Sequence, residues 1–206
     1  MPAMLDVFGP RVNSITSYDF IDIISGTGIE TFYPGNIRIV SGGELITAYT
    51  IKNKAFYSQL ISSKATTSST TYANVVNANY DLDFNTTRTI NGPVIVSIPV
   101  GINTLTGTAA GHNIFSYVNL EKVGTDAAET FLISGQTTIF NTSGTTTADK
   151  AYSKIETVKL ELVNQIFKKD EKLRMKLRVY AKSTGGAAAQ FGIGNDPKNR
   201  IDNNGA

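Results

Sequence analysis

The stretch KIETVKLELVNQIFKKDEKLRMKLRVYAKS, residues 154–183, decides the fold class. Apolar side chains alternate with charged ones over residues 158–162, and again over residues 172–179. Strict alternation with a period of two is typical of a strand with one face in the core and one in solvent. The polar residues 168–171 between the two runs favour a four-residue loop. The stretch therefore predicts two antiparallel strands.

We predict that these two runs pair with each other as a hairpin. A loop over residues 168–171 would set Leu162 opposite Leu177 on one face, and Glu161 opposite Arg178 on the other. A slip of one residue would turn one apolar set into water, so the register should be strongly specified.

The rest of the chain repeats the same kind of signal. Short runs rich in β-branched and aromatic residues are separated by Gly, Pro and Asn, and no segment of ten residues has a helical period. This pattern predicts an all-β, antiparallel β-sandwich, and the long loops favour a Greek-key jelly roll. We expect an N-terminal arm over residues 1–17, the sandwich domain over residues 18–183, and a Gly-rich C-terminal tail over residues 184–206. Within the domain, the Ser- and Thr-rich residues 62–79 are expected to form an exposed loop.

Composition excludes several classes of protein. The chain has 206 residues and 41% hydrophobic residues, enough for a core, and no Cys, which excludes a disulfide scaffold and a thiolate metal site. A net charge of +2 argues against a general nucleic-acid binder. No run of 18 apolar residues is present, and residues 1–8 lack the pattern of a signal peptide, so we expect neither a membrane segment nor a membrane partner.

The chemistry-bearing residues do not form a recognisable catalytic set. His112 is the sole histidine, no Gly-x-Ser-x-Gly motif accompanies it, and a hydrolase would have to combine it with an acid such as Asp83. Asp81 and Asp83 share one strand face, and calcium binding by this pair stays open, although solvent-facing strand acids are the simpler interpretation. We expect no catalytic residue, no cofactor and no metal ligand, and hence no enzyme.

A basic stripe is the best candidate for a functional surface. Residues 150–182 carry ten Lys and Arg against four Asp and Glu, and Lys172, Arg174, Lys176 and Arg178 share one strand face. Such a face is either solvated, which discourages aggregation, or it contacts an acidic neighbour. Since the stripe faces away from the core, we expect reversal of Arg174 and Lys176 to Glu to leave the fold intact.

The tail adds further candidates for contact with a neighbouring subunit. Phe191 and Ile193 are taken as its large apolar anchors, and Arg200 lies near its end. The predicted interface consists of these three residues and the four residues of the basic stripe.

Three motifs resemble one family. Residues 18–23 (YDFIDI) before Gly26-Thr27-Gly28, residues 167–174 (FKKDEKLR) and residues 195–200 (NDPKNR) resemble segments of small jelly-roll structural proteins of tailed phages and related viruses. Asp170 stands where that family often has Gly. The resemblance implies a capsid or decoration subunit in the virion, commonly a homotrimer that contacts other virion proteins, with no enzymatic role.

The sequence therefore favours a virion structural protein that acts through protein–protein assembly. The alternative is a carbohydrate- or cell-surface-binding module of a fibre or adhesin, which needs an exposed aromatic platform. Tyr33, Tyr49, Tyr57 and Tyr72 are the candidates for it, and the absence of Trp counts against it.

Overall fold

A computed structural model describes residues 32–35, 42–47, 61–106, 111–142, 148 and 150–194. These residues form β-strands and contain no helix, so none of them lies in a helix long and apolar enough to cross a membrane. The strands are β1 (Phe32–Gly35), β2 (Gly42–Thr47), β3 (Ile61–Thr67), β4 (Ala73–Asp83), β5 (Arg88–Thr104), β6 (His112–Val123), β7 (Glu129–Gln136), β8 (Phe140–Asn141), β9 (Lys150–Phe167), β10 (Lys172–Ser183) and β11 (Ala189–Gly194).

The strands form two sheets. In sheet A the order is β1-β2-β4-β10-β6-β7, with β8 paired to β6, and in sheet B it is β3-β11-β5-β9. Every pair of neighbours is antiparallel except β2 with β4. The prediction of an all-β protein built from antiparallel sheets is confirmed.

The pairing within the two sheets is nested. The hairpin β6–β7 is the innermost pair, and around it β5 pairs with β9, β4 with β10 and β3 with β11. Most connections carry the chain from one sheet to the other. The two sheets therefore depend on each other, because each contains strands from both halves of the described chain.

The core lies between the sheets. Strand β10 alternates strictly between buried and partly exposed residues, and the middle of β9 alternates between buried and exposed ones. Phe84 and Phe167 stack with their ring centroids 4.7 Å apart, and Tyr80 and Phe191 are among the largest fully buried side chains. The alternation seen in the sequence is confirmed as the inward-facing set of each strand.

The predicted hairpin between β9 and β10 is wrong. Strand β9 pairs with β5 in sheet B, whereas β10 lies between β4 and β6 in sheet A. Leu162 lies opposite Gly92, Leu177 opposite Ala78 and Val118. Alternation shows which face of a strand is buried, and two strands that face each other across a core have the same pattern as two strands that pair.

The loop between β9 and β10 therefore joins the sheets. The amide of Asp170 donates to the carbonyl of Phe84 at 2.7 Å, and the amide of Phe84 donates to the carbonyl of Glu171 at 3.1 Å. Asp170 has a φ of 66°, in the left-handed region that favours Gly, Asn and Asp. Asp is therefore compatible with the backbone conformation of this loop, which a Gly would adopt freely.

Two segments expected outside the sheets belong to them. Residues 62–79, expected to be a loop, contain most of β3 and the first part of β4. The expected tail contains β11, which lies between β3 and β5. Phe191 is fully buried and Ile193 is nearly so, and they are therefore core residues and not interface residues. The expected arm, residues 18–23 and Arg200 lie outside the described residues.

Candidate interaction surfaces

The basic stripe lies on the outer face of sheet A, where Arg174 is paired within the chain. Its Nε and Nη2 donate to the two carboxylate oxygens of Asp81, both at 2.7 Å, and its Nη1 lies 2.5 Å from Glu129 Oε1. Asp81 comes from β4 and Glu129 from β7, so this guanidinium links the two outer strands of the four neighbours β4, β10, β6 and β7. The hydrogen bonds to Asp81 are the largest cause that raises the pKa of Arg174 above its ordinary value.

The lysines of the stripe are paired in the same way. Lys176 Nζ lies 2.6 Å from both Glu121 Oε2 and Glu129 Oε2, and Lys172 Nζ lies 3.0 Å from Asp83 Oδ1. Hydrogen bonds from Lys176 and then Arg174 lower the pKa of the Glu129 carboxyl. Acids of β4, β6 and β7 thus neutralise three cations of β10, namely Lys172, Arg174 and Lys176.

Arg178 completes the stripe without a carboxylate partner among the described residues. Its Nη1 donates to the carbonyls of Ala78 and Leu177 at 3.2 and 3.1 Å, and to Asn79 Oδ1 at 3.1 Å. The uncompensated basic face from which the interface was predicted is therefore absent at most of the stripe, and the interface itself stays a prediction. Reversal of Arg174 and Lys176 to Glu would place new carboxylates beside existing ones, so we no longer expect it to leave the fold intact.

An aromatic patch lies beyond Arg178 on the same face. Phe115 stacks on Tyr180 with ring centroids 5.3 Å apart and makes an edge contact with Tyr72 at 5.0 Å. Lys182 Nζ lies 4.7 Å from the centre of the Tyr72 ring. Of the four tyrosines predicted as a platform, Tyr72 is the one whose side-chain surroundings the structure describes.

The outer face of sheet B carries several exposed apolar side chains. Ile95 of β5 is 64% exposed, and on β9 Ile155 is 68%, Val163 62% and Ile166 54% exposed. A soluble sandwich usually points polar side chains outward at such positions. The sequence shows these residues, but the predicted hairpin placed β9 in the wrong sheet, so this surface was missed.

Strand β9 ends sheet B, and no described strand pairs with its other side. Its middle packs closely against β7 of the opposite sheet, where Gly135 leaves no room for a Cβ because Leu160 Cδ2 would lie 2.7 Å away. Near one end, the carboxylate of Glu156 faces inward, binds Lys154 Nζ at 2.7 Å and accepts from Thr138 Oγ1 at 3.2 Å.

The residues considered for catalysis or metal binding do not form a common site. His112 lies opposite Ser183 at one end of β10, with no exposed surface, whereas Asp83 pairs with Lys172 at the other end. Burial lowers the pKa of the His112 imidazole. In the described ranges, no three His, Asp or Glu side chains are grouped so as to hold a metal ion. The carboxylates of Asp81 and Asp83 bind cations of β10 instead.

The chain has weak structural similarity to known proteins. No family model and no curated protein matches the chain. It is similar to a CocE/NonD family hydrolase from Staphylococcus aureus, with a TM-score of 0.38 and 9% identity over 80% of this chain. It is also similar to a chain of the infectious bursal disease virus Gx strain, with a TM-score of 0.32 and 10% identity over 66% of this chain. The chain spans only 37% of the hydrolase and 30% of the viral chain.

These similarities correct one expectation. The expectation that the chain is no enzyme is contradicted by the hydrolases among its structural neighbours, and we do not maintain it. At this level of similarity the comparison assigns no activity to the chain, and likewise no role in a virus.

Proposed function

We propose that the chain is a structural subunit of a virus particle, in the capsid or decorating it, and that its sandwich is a jelly roll. The nested order of pairs supports the jelly roll, since that fold is a long hairpin of strands folded across two sheets. Jelly rolls recur in viral capsid and lectin domains. The motifs at residues 18–23, 167–174 and 195–200 support the capsid choice.

The observation that carries the proposal is the outer face of sheet B. Ile95, Ile155 and Val163 stand more than half exposed beside a strand edge with which no described strand pairs. Exposed apolar groups near an unpaired edge favour contact with another protein chain, because burial there removes apolar surface from water and pairs backbone groups. In an assembly, such a surface would be buried against a neighbouring subunit.

The test is assembly of the full chain. We expect purified protein to form a homo-oligomer, the predicted trimer or another small number of copies, in size-exclusion chromatography with light scattering. We also expect it to cosediment with particles purified from the virus that encodes it. A chain that stays monomeric and does not sediment with these particles contradicts the proposal.

The aromatic patch of Tyr72, Phe115 and Tyr180 favours a second candidate function, binding of a carbohydrate at a cell surface. Aromatic rings present flat apolar faces, and Lys182 adds a cation beside them. A glycan array with the full chain tests this candidate, with Y72A as the variant that should lose binding and Y152A, on β9, as its control. An array without any bound glycan class contradicts it.

A further inference from the structure

We propose that the free edge of β9 pairs antiparallel with β9 of a second copy, in a register centred on Leu160. This inference rests on the proposed function and names the surface through which two subunits meet. It joins two copies of sheet B into one continuous sheet across a two-fold axis.

The charge pattern of β9 is complementary to itself. Lys159 and Glu161 both lie on the outer face and are exposed. In the centred register Lys159 lies opposite Glu161 of the partner subunit, and the two-fold axis repeats the pair. Within the described chain neither residue has an ion-pair partner, since the residues beside them on β5 are Ile95 and Pro93.

The apolar residues fit the same register. Leu160 lies opposite Leu160 of the partner subunit, and Val158 opposite the partner's Leu162, so the buried row of one subunit continues into the other. On the outer face, Val163 lies opposite the partner's Thr157. Pairing would therefore cover part of the exposed apolar surface of β9 and would use its free backbone groups.

Two features limit the paired segment to residues 157–163. Asn164 has a φ of 48°, and its amide donates to Asn91 Oδ1 at 3.0 Å, in the bulge where the β5–β9 register shifts. At the other end Glu156 faces inward, a feature that discourages pairing at a strand edge. The segment between them presents seven residues, or roughly 23 Å of strand, for pairing.

A second copy fits this edge better than a strand of another protein. A foreign strand would need an acid opposite Lys159 and a base opposite Glu161 at the right spacing. A copy in antiparallel register presents both, because Lys-Leu-Glu pairs with itself when reversed. The symmetry of the pattern is the reason to choose this occupant.

Charge exchange tests the register. K159E sets carboxylates opposite each other at both symmetric positions, and E161K does the same with cations, so each should weaken the dimer about tenfold or more. The double variant K159E/E161K restores opposite charges and should recover wild-type association. K169E, in the loop between β9 and β10, changes the net charge equally and should have no effect.

The measurement is the dissociation constant from sedimentation equilibrium, with circular dichroism to check that each variant is folded. Recovery in the double variant supports the register. If the single variants associate like the wild type, the inference is overturned but the proposed function is not. A trimer whose dissociation constant is unaffected by K159E likewise overturns only the inference. A wild-type chain that neither oligomerises nor binds particles overturns both.

Cysteine cross-linking is an independent measurement. The chain has no Cys, so the variant K159C/E161C carries the only thiols. Directly opposed residues of antiparallel strands lie within the distance that a disulfide spans. We expect a covalent dimer on a non-reducing gel and far less of it for K159C alone, whose thiols are two residues out of register. Equal cross-linking of both variants, or none, overturns the register.

Discussion

Strands β9 and β10 follow each other in the chain and show the same alternation, yet their surroundings differ. Strand β10 is paired on both sides, and Arg174 and Lys176 on its outer face bind acids from the neighbouring strands. Strand β9 is paired on one side among the described residues, and its Lys159 and Glu161 have no ion-pair partner there. Charged residues thus stabilise the fold on β10, whereas those on β9 are available for another chain.

Whether a charged stripe is available for binding therefore depends on the side chains of the neighbouring strands. A stripe of four cations looks like a binding surface in the sequence, but acids that are distant in sequence neutralise most of it. The outer face of β9 carries fewer charges and is the better candidate for contact, because nothing within the described chain satisfies them.

The largest loss of stability is expected for a substitution inside sheet B, away from its edge strand β9. Phe191 of β11 has no exposed surface, so Phe191→Ala should lower the free energy of unfolding by about 3–5 kcal/mol through lost burial and the cavity left behind. Urea denaturation measures it. Gln190→Ala, on the same strand with its side chain outward, is the control, and a similar loss in both variants contradicts the assignment of Phe191 to the core.

A smaller effect is expected on the outer face of β10. Arg174→Met removes the partner of Asp81 and Glu129, and the part-buried position should make this cost about 1–2 kcal/mol. Lys169→Met, in the loop before β10, should cost less than about 0.5 kcal/mol. If thermal or urea unfolding shows equal effects for the two variants, the ion pairs of β10 do not stabilise the fold as we describe.

The free energy of unfolding should depend on pH through His112. The pKa of His112 is lowered below its ordinary value of 6.5 by burial, so the unfolded chain binds more protons than the folded one below that pH. Stability should therefore fall as the pH is lowered from 7.5 to 5.0, by at most about 1.4 kcal/mol per pH unit for one group. The pKa of Glu129 is lowered from 4.5, so its contribution is lost only below this window.

The variant His112→Leu isolates this contribution. Its unfolding free energy should depend less on pH between 7.5 and 5.0 than that of the wild type. Urea denaturation at several pH values measures both slopes, and equal slopes would contradict the assignment of the effect to His112.

The smallest effect on stability is expected at the exposed face of β9. Ile155 is 68% exposed, so Ile155→Thr should change the unfolding free energy of the monomer by less than about 0.5 kcal/mol. A loss above 1 kcal/mol in dilute protein would mean that the face is already covered within one chain, and the contrast between β9 and β10 would fail.

Where alternation is long and strict, as in β9 and β10, the sequence was sufficient to predict the strand and its buried face, because alternation is a local property. It predicted the loop at residues 168–171, and Asp170 shows there the backbone conformation that a Gly in its place would adopt freely. It did not predict which strands pair. The contacts of Glu129 with Arg174 and Lys176 follow from the position of β7 in the sheet, which no local pattern encodes.

The tail was misjudged for a related reason. Phe191 and Ile193 stand among Gly and Ala, and this composition suggested a loose surface segment. Ala189, Phe191 and Ile193 nevertheless alternate and are all buried. A strand as short as β11 shows too few alternating positions to stand out, and it is fixed by its two neighbours rather than by its own propensity.

The nested pairing also determines the order in which the strands can pair while the chain is being synthesised. The β6–β7 hairpin can form as soon as residues 112–136 have been synthesised. Strand β5 cannot pair with β9 until β9 has been made, and β3 cannot pair until β11 has been made at the far end of the described chain. We expect β3 of the nascent chain to stay without its partner until residues 189–194 emerge. Folding should then be slow, as in other proteins dominated by distant contacts, and β3 is the strand that stays unpaired longest.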